Sequence, residues 1–316
     1  MAPGARSATP VAMLLHLVTA AGAMRTSVEF FDPIVRFGLA EPPSPPSSTM
    51  RPLMLVLPGL DGSGLTAWAQ FPELARDYDL RALAIGADDR SSYADLVGTV
   101  SSELASAQAA GREVLLFGES MGAGVALDVA RGQAAPSAVV LVSPATGWDR
   151  TWLGRLRYWL VTLPDPLLGL IVALTTYQLL DASMLVTTAR RIVTGEKSPV
   201  LDTPARTDYA WSVVRAMPAA FASPPATVRH RIEEWADPSI EAARELSDMR
   251  VPTLIVAGTA DIRVPAVEEA QRIRDAMEDT CECRVHLVEG AGHAGVTDDR
   301  LNLREVLREW RGGKLG

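Results

Sequence analysis

The chain has 316 residues, 48% of them apolar and 22% charged, a balance that is ordinary for a folded protein and excludes a wholly disordered chain. Asp and Glu outnumber Lys and Arg by 38 to 30, so the net charge is −8, and no basic stripe indicates a nucleic-acid partner. Two cysteines are too few for a disulfide scaffold, and the length allows either two domains or one large α/β domain with an insertion.

The first 50 residues differ in composition from the remainder. Residues 1–25 contain Arg6 and Arg25 but no acidic residue, and an uncharged run of 14 residues extends from 11 to 24. This run is shorter than the ~20 apolar residues that span a membrane, and its flanking arginines are typical of a targeting segment. A loosely packed N-terminus is the alternative. Prolines between 42 and 52 predict an extended linker after a short leading element at 26–37. We therefore expect a leader and linker over 1–50 and a folded domain over 51–316.

Beyond the linker, short apolar runs alternate with longer amphipathic runs. The apolar runs predict strands at 53–57, 80–85, 113–117, 138–143, 253–257 and 283–288. The amphipathic runs predict helices at 66–77, 93–110, 121–131, 265–277 and 303–310. Thr66 is the expected N-cap of the first helix, in which Pro72 marks either a kink or a later start. Strands that are apolar throughout are buried on both faces, so the expected fold class is α/β, with a mostly parallel, doubly wound sheet.

An interruption without a convincing strand, at about 147–248, separates the fourth and fifth predicted strands. It is rich in Leu, Trp and Ala, and several prolines break it. Residues 167–180 carry no charge, but these 14 residues are fewer than the ~20 that cross a bilayer. We expect a helical cap over the sheet that faces an apolar ligand, with a hairpin that dips into a membrane as the alternative.

The motif Gly118-Glu119-Ser120-Met121-Gly122 joins the third predicted strand to the helix after it. A serine at such a turn takes a strained backbone, and the two glycines remove side chains that would clash there. The hydroxyl is then exposed at the carboxyl edge of the sheet, next to a helix N-terminus that favours negative charge. Ser120 is thus the predicted nucleophile, and a purely structural tight turn is the alternative.

A serine nucleophile needs a base, usually a histidine that a carboxylate orients, and in this type of turn the chain order is Ser, Asp, His. His293 fits this order because it lies in a glycine-rich loop directly after the last predicted strand, whereas His286 lies inside that strand. Asp261 follows the preceding strand and is the predicted orienting carboxylate, with a helix cap or turn aspartate as the alternative. His230 lies in a charged part of the expected cap and is interpreted as solvated, and His16 lies in the expected targeting segment. Asp237 and Asp248 fit less well than Asp261 because neither follows a predicted strand.

The loop after the first strand, residues 58–64, contains three glycines. Acyl transfer needs backbone N–H groups that stabilise a tetrahedral oxyanion. We expect one from Met121, the residue after the nucleophile, and the other from Leu60, with Asp61 as the second choice. A phosphate-binding loop is excluded because no Lys-Ser or Lys-Thr pair follows.

Two other motif matches are interpreted as coincidences. Residues 290–295 have the spacing of a dinucleotide-binding fingerprint, but no later strand completes a βαβ unit. His293 and Asp298 have the His-x4-Asp spacing of glycerolipid acyltransferases, but the match is short and His293 already has a predicted role.

Five segments carry a resemblance to a known family: 57–65, 118–123, 143–146, 257–261 and 292–293. They resemble the α/β-hydrolase superfamily and, within it, the hydrolase half of the plastid phytyl ester synthase and esterase–lipase–thioesterase family of plants and algae. The resemblance implies that Ser120, Asp261 and His293 are catalytic. It also implies acyl transfer from lipid or acyl-thioester donors to phytol, diacylglycerol or water, in or near plastid membranes. Members of that family carry a second, acyltransferase-like domain after the hydrolase half.

These observations predict a serine hydrolase that cleaves an ester or thioester of a hydrophobic acyl group without a metal or organic cofactor. A lipid acyltransferase that uses the same acyl-enzyme is the alternative. A non-catalytic binding protein with this fold is less favoured, because it has no need for the full Ser, Asp and His set. The expected partners are the hydrophobic substrate and, through the cap, a membrane surface, and the expected location is the plastid.

Overall fold

The computed structural model describes residues 28–39, 50–179, 190–196, 201–221, 223–294 and 301–312. Several expectations fall outside these described residues: the targeting segment at 1–25, His16, most of the proline-rich linker, and Asp298 with its His-x4-Asp match. The described parts include every strand and helix that the apolar and amphipathic runs predict beyond residue 52.

Seven strands form one sheet. They are β1 (Val28–Phe31), β2 (Leu53–Leu57), β3 (Asp79–Ile85), β4 (Val114–Glu119), β5 (Ala138–Val142), β6 (Thr253–Gly258) and β7 (Cys283–Val288). Their order is β1-β3-β2-β4-β5-β6-β7, and only the β1–β3 pair is antiparallel. The six predicted strands are confirmed to within two residues at each end. The central strands β2, β4, β5 and β6 are buried throughout, whereas the edge strand β7 is largely half-buried or exposed.

Helices cover both faces of the sheet. They are α1 (Pro33–Arg36), α2 (Phe71–Leu74), α3 (Tyr93–Ala109), α4 (Gly122–Ala130), α5 (Trp152–Arg155), α6 (Arg157–Leu160), α7 (Asp165–Leu179), α8 (Pro204–Phe221), α9 (Pro225–Ala242), α10 (Ala266–Met277) and α11 (Leu303–Trp310). Alternate residues of β2 enter two separate cores. Leu55 shares one core with Leu96 of α3, whereas Met54 shares the other with Phe71 and Leu303. The predicted fold class, an α/β hydrolase fold with a doubly wound sheet, is therefore confirmed.

Residues 28–37 belong to the sheet domain, which differs from the expected start near residue 51. β1 pairs with β3 in the register Val28↔Ile85, and α1 begins directly after it. Asp32 caps α1, since its carboxylate accepts hydrogen bonds from the N–H groups of Ile34 (2.8 Å) and Val35 (3.1 Å). A four-residue edge strand gives little periodicity in the sequence, so the hydrophobic pattern places the start of the folded domain too late.

The helix predicted at 66–77 is wrong in its first half. The helix begins only at Phe71, with Pro72 in its first turn, where the missing proline N–H costs no hydrogen bond. Residues 65–71 are all buried, and those before the helix form turns. The apolar residues therefore reflect burial on every side, not the one-sided burial of an amphipathic helix.

The chain between β5 and β6 has only helical elements within the described ranges. A 3₁₀ helix (Ala145–Arg150) leads into α5 to α9, and α7 has 15 residues. No described helix combines the length and apolar composition that a membrane span requires. The last helix of the cap, α9, packs against α4 beside the sheet. The two helices are so close that a Cβ at Gly124 would lie 2.4 Å from Ser239 Oγ.

Candidate active site

Ser120 lies at the turn between β4 and α4, with a φ of 52° in the left-handed region. Its N–H donates to the carbonyl of Val142 (2.9 Å), and its carbonyl accepts from the N–H of Ala145 (3.0 Å), so neighbouring backbone holds the strained residue. A Cβ at Gly118 would lie 2.5 Å from the carbonyl oxygen of Gly122. A Cβ at Gly122 would lie 2.5 Å from the carbonyl oxygen of Pro58, the residue after β2. The turn therefore requires both glycines.

A chain of hydrogen bonds joins Ser120 to two side chains from later loops. His293 Nε2 lies 3.1 Å from Ser120 Oγ, and His293 Nδ1 lies 2.8 Å from Asp261 Oδ2. The other oxygen of Asp261 accepts from the N–H groups of Arg263 (2.8 Å) and Val264 (3.2 Å). With Nδ1–H donated to the carboxylate, Nε2 carries the lone pair that can accept the serine proton. The His293 and Asp261 side chains are 8% and 1% exposed, so bulk water competes little for these bonds.

The loops after β6 and β7 are bonded to each other, which explains why the aspartate and the histidine meet. The N–H of Thr259 donates to the carbonyl of Val288 (3.1 Å), and the N–H of Ala260 donates to that of Ala291 (2.9 Å). A Cβ at Gly258 would lie 2.3 Å from the Ala291 oxygen, so only glycine permits this approach.

The glycine-rich loop at 58–64 lies against Ser120. A Cβ at Gly59 would sit 3.1 Å from the Cβ of Ser120. The carbonyl of Gly59 accepts a hydrogen bond from the N–H of Gly62 (3.1 Å), which closes the loop into a turn. Within the part of the chain that the structure describes, the N–H groups of Leu60 and Met121 have no acceptor. Both are therefore able to donate to a bound group next to Ser120.

A pocket of about 150 Å³ borders Ser120 and His293. Cap side chains form its largest apolar wall: Trp148, Leu153, Leu160, Leu168, Ile171 and Val172. A few polar groups lie at the sheet end, from Asp61, Thr66 and Glu119. An apolar cavity with a small number of polar groups suits a ligand that presents an apolar chain and one polar centre.

Glu119, the last residue of β4, is buried beside Ser120, and the sequence motifs do not assign it a role. Burial, reinforced by the negative charge of Asp61, raises the pKa of Glu119 well above its usual range, against a smaller opposite effect of a hydrogen bond with Thr66. The carboxyl group therefore favours its neutral form. An acidic residue within an otherwise apolar strand was the available signal.

The other candidate histidines and aspartates that lie within the described residues are away from this chain of hydrogen bonds. His230 Nε2 lies 3.3 Å from the carbonyl oxygen of Ser91, and His286 lies within β7. Asp237 pairs with a cap arginine, and Asp248 is exposed before β6. Within the described ranges, no group of three or more His, Cys, Asp or Glu side chains is arranged to hold a metal ion.

The strand order, the helical insertion after β5 and the strained serine turn define an α/β hydrolase. A family model described as serine aminopeptidase S33 matches residues 87–300, more than half of the chain. The chain therefore belongs to the serine aminopeptidase S33 family of hydrolases.

Two curated relatives are chloroplastic proteins of Arabidopsis thaliana, which confirms the predicted resemblance. Phytyl ester synthase 1 is 25% identical over 272 residues, which cover 82% of this chain and 38% of the relative. Phytyl ester synthase 2 is 37% identical over 123 residues, which cover 38% of this chain and 18% of the relative. The chain thus spans less than two fifths of the length of the curated relatives it matches.

Among solved structures, an esterase from Rhodococcus, RhEst1, has the same fold. It superposes with a TM-score of 0.54 at 20% sequence identity, covering 85% of this chain and 93% of the esterase. At this level of identity the likeness concerns the fold, and it agrees with the doubly wound sheet and helical insertion described above.

Proposed function

We propose that the protein is a serine hydrolase that cleaves an ester or thioester of a hydrophobic acyl group, using Ser120, His293 and Asp261. The observation that carries this proposal is the chain of hydrogen bonds from Ser120 Oγ through His293 to Asp261, placed at an apolar pocket. Membership of a hydrolase family supports the reaction type. The apolar wall supplied by the cap supports an acyl group of the same character.

In the proposed reaction, His293 Nε2 takes the hydroxyl proton as Ser120 Oγ attacks the acyl carbonyl carbon. The carbonyl oxygen gains a negative charge, which the N–H groups of Leu60 and Met121 stabilise. The imidazolium, stabilised by Asp261, then gives its proton to the leaving alcohol or thiol, and the acyl group remains on Ser120. Water, deprotonated by the same histidine, attacks the acyl-enzyme and releases the carboxylic acid.

A fluorophosphonate probe, which reacts with activated serines, tests this proposal. We expect Ser120→Ala to abolish labelling and to lower hydrolysis of p-nitrophenyl octanoate by about 10³-fold or more. Ser143→Ala is the matched control, because Ser143 also has a left-handed φ (43°) at the end of the neighbouring strand. Wild-type labelling no stronger than that of Ser120→Ala would overturn the proposal.

A lipid acyltransferase is the second candidate, and the similarity to phytyl ester synthase 1 favours it. Both reactions share the acyl-enzyme and differ only in whether water or a lipid alcohol removes the acyl group. The test offers one acyl-thioester donor with phytol, diacylglycerol or no added acceptor, and compares the ester formed with the acid released. Ester formation above the acid would favour the transferase, and acid alone would favour the hydrolase. An aminoacyl amide added as a further substrate reports peptidase activity.

The outer face of the cap is proposed to contact a lipid surface. Side chains of α5 to α7 point in two directions, and those that do not line the pocket include exposed apolar groups: Trp152, Tyr158, Trp159, Leu167, Leu170 and Leu174. Trp and Tyr concentrate at membrane interfaces. Contact through this face would bring the pocket to substrates that are dissolved in lipid.

A plastid location is proposed on the composition of residues 1–25 and on the similarity to two chloroplastic proteins. The test fuses residues 1–50 to a fluorescent protein in a plant cell. We expect the fusion to enter plastids, whereas a fusion with Arg6 and Arg25 replaced by Glu should stay outside them. Cytosolic fluorescence from the unmodified fusion would contradict the proposal.

A further inference from the structure

Arg231, on α9, is a fully buried cation that binds main-chain carbonyls from two separate segments. Its guanidinium donates to the carbonyls of Leu60 (2.9 Å) and Asp61 (2.7 Å) in the glycine-rich loop. It also donates to the carbonyls of Ile85 (2.9 Å) and Gly86 (3.0 Å) at the end of β3. Among the described residues, no carboxylate forms an ion pair with it. The side chain therefore connects the cap to the loop next to the nucleophile.

A cation in this position needs an explanation beyond packing. Burial removes its hydration, and no ion pair compensates for that loss. Burial also lowers the pKa of Arg231, to about 10, so the group is still charged at neutral pH. A planar guanidinium with five donors suits several converging carbonyls, whereas an ammonium group does not have this fixed geometry. The arrangement fits a clamp that holds the glycine-rich loop in one conformation.

The clamp determines which way the peptide groups of the loop point. No cis peptide bond occurs in the described chain, so each N–H points opposite to the carbonyl of the preceding residue. Because the Leu60 carbonyl points towards Arg231, the N–H of Asp61 points away from it. The Asp61 carbonyl also points towards Arg231, which turns the N–H of Gly62 back to the carbonyl of Gly59. That bond fixes the peptide group that carries the N–H of Leu60.

Two further contacts connect α9 to the same site. A Cβ at Gly62, where φ is +70°, would lie 2.7 Å from the guanidinium of Arg231, so glycine leaves the space that the clamp needs. Ser239 Oγ donates to the carbonyl of Met121 (3.2 Å), the residue after the nucleophile. The last helix of the cap therefore contacts both segments that supply the proposed oxyanion N–H groups.

We propose that Arg231 is a positioning residue that holds the loop at 58–64 in the conformation that stabilises the tetrahedral oxyanion. This inference rests on the proposed function, since it assigns a task within the same reaction. The oxyanion is present in the transition state and not in the bound substrate. Loss of Arg231 is therefore expected to lower kcat while KM changes little.

Arg231→Met and Arg231→Lys test the inference in the full chain. Met has a similar length without donors, and Lys keeps the charge but cannot bind four carbonyls in one plane. Arg229→Met is the matched control, because Arg229 lies two residues away on the same helix and also donates to main-chain carbonyls. Those carbonyls, of Val161 (2.7 Å) and Leu163 (2.8 Å), belong to the cap and not to the glycine-rich loop.

Rates are measured per active site, counted from the end point of fluorophosphonate labelling, so that unfolded protein does not contribute. For Arg231→Met we expect kcat to fall about 100-fold, the effect of losing an oxyanion donor, with KM within about threefold. Affinity for an alkylboronic acid, which forms a tetrahedral anion on the serine, should fall in parallel with kcat. The kcat of Arg231→Lys should lie between those of wild type and Arg231→Met, and the kcat of Arg229→Met should stay within about threefold of wild type.

An unchanged kcat per active site in both Arg231 variants would overturn the inference and leave the proposed function standing. An equal loss in Arg229→Met would overturn it as well, because the effect would then come from cap packing. If Arg231→Met does not fold, Arg231→Lys decides, since it keeps the charge and removes the planar set of donors. Wild-type protein that neither labels nor hydrolyses esters would instead overturn the proposed function.

Discussion

Two acidic side chains lie next to the position where negative charge develops in the proposed reaction. The carboxylate of Asp61 accepts hydrogen bonds from the N–H (2.8 Å) and the hydroxyl of Ser63. Glu119 has a raised pKa because it is buried and lies near Asp61. The neutral form of Glu119 limits the negative charge that would oppose an oxyanion, whereas the Asp61 carboxylate keeps its charge and is held by the two donors of Ser63.

Replacement of Glu119 by Gln tests the raised pKa. A group whose pKa is higher in the folded than in the unfolded state stabilises the protein below its ordinary pKa of 4.5, and this stability is lost as pH rises through the folded pKa. Gln cannot ionise, so the variant avoids this loss. We expect the Tm of Glu119→Gln minus that of wild type, measured by differential scanning fluorimetry, to increase as pH rises from 5 to 9.

The control for this prediction is Glu278→Gln, because Glu278 is exposed at the end of α10. Its Tm should stay close to that of wild type, because substitution of an exposed residue changes stability little. A Glu119→Gln difference that is the same at every pH would show that the Glu119 carboxyl titrates normally in the folded protein.

At the residue scale, the sequence could predict the contacts that local motifs specify. The serine turn, Asp261 and the glycine loop before His293 each follow a predicted strand, and parallel strands end at one edge of the sheet. Arg231 could not be found in this way. Its partners are main-chain carbonyls, which carry no side-chain signature, and they lie about 145 to 171 positions away in the sequence.

At the element scale, a buried acid connects α10 to the 3₁₀ helix where the cap begins. Glu269 accepts from Arg272 (2.9 and 2.7 Å), and it also binds Thr146 and Arg150 of the 3₁₀ helix. Burial by itself would raise the pKa of Glu269, but hydrogen bonds from Arg272 and Thr146 and the arginine charges outweigh it and lower the pKa. The carboxylate is therefore stabilised in the folded protein.

Glu269→Gln is expected to lower the free energy of unfolding at pH 7 by about 2 kcal/mol, because a neutral amide replaces a charged acceptor of several hydrogen bonds. The wild-type contribution is present above the ordinary pKa of 4.5 and is lost as pH falls through the depressed folded pKa. The difference between variant and wild type in urea unfolding should therefore shrink at pH 3.5.

Glu268→Gln provides the comparison for this measurement, because Glu268 is the exposed neighbour on the same helix. It should change stability by less than about 0.5 kcal/mol. A Glu269→Gln difference that persists unchanged at pH 3.5 would mean that a steric effect, and not the carboxylate charge, destabilises the variant.

Among the elements, the central strands β2, β4, β5 and β6 were predictable because burial on both sheet faces demands uninterrupted apolar runs. Burial also explains why the helix predicted at 66–77 starts too early, because the apolar residues before Phe71 are buried in turns and not on one face of a helix. β1 was missed as a strand because an edge strand that pairs antiparallel with β3 depends on a long-range partner, and its four residues carry no local signal.

At the scale of the whole molecule, charge and apolar exposure are unevenly distributed. The chain has a net charge of −8, yet residues 150–164 include three arginines and no acidic residue. Arg150 and Arg157 form ion pairs with Glu269 and Asp237, and Arg155 forms none with the described residues. The exposed aromatic groups of the cap, with Trp152 at 72% and Trp159 at 54% exposure, lie in this same stretch. Apolar rings beside basic side chains are typical of surfaces that contact anionic lipids.

The double variant Trp152→Ser/Trp159→Ser tests the lipid contact. We expect its partition onto phosphatidylcholine–phosphatidylglycerol vesicles to fall about tenfold or more, since burial of one large side chain contributes at least about 1.4 kcal/mol. Hydrolysis of a short soluble ester should stay within about threefold of wild type. Co-sedimentation with the vesicles measures the partition.

Val35→Ser is the control for the vesicle measurement, because Val35 is an exposed apolar residue of α1, outside the cap. It should bind vesicles as the wild type does. Equal binding by the double tryptophan variant would exclude the outer face of the cap as the lipid contact.

The long reach of Arg231 has a consequence for the order in which the protein matures. Arg231 follows Leu60 by 171 positions, and β2 to β5 all precede it in the chain. During synthesis the strands that carry the serine turn therefore leave the ribosome well before α9 does. If Arg231 holds the loop at 58–64 as proposed, a nascent chain without α9 contains Ser120 but cannot yet stabilise the oxyanion. Under the proposed mechanism, hydrolytic competence then arises only after α9 has docked on the loop and the later strands β6 and β7 have brought Asp261 and His293 to Ser120.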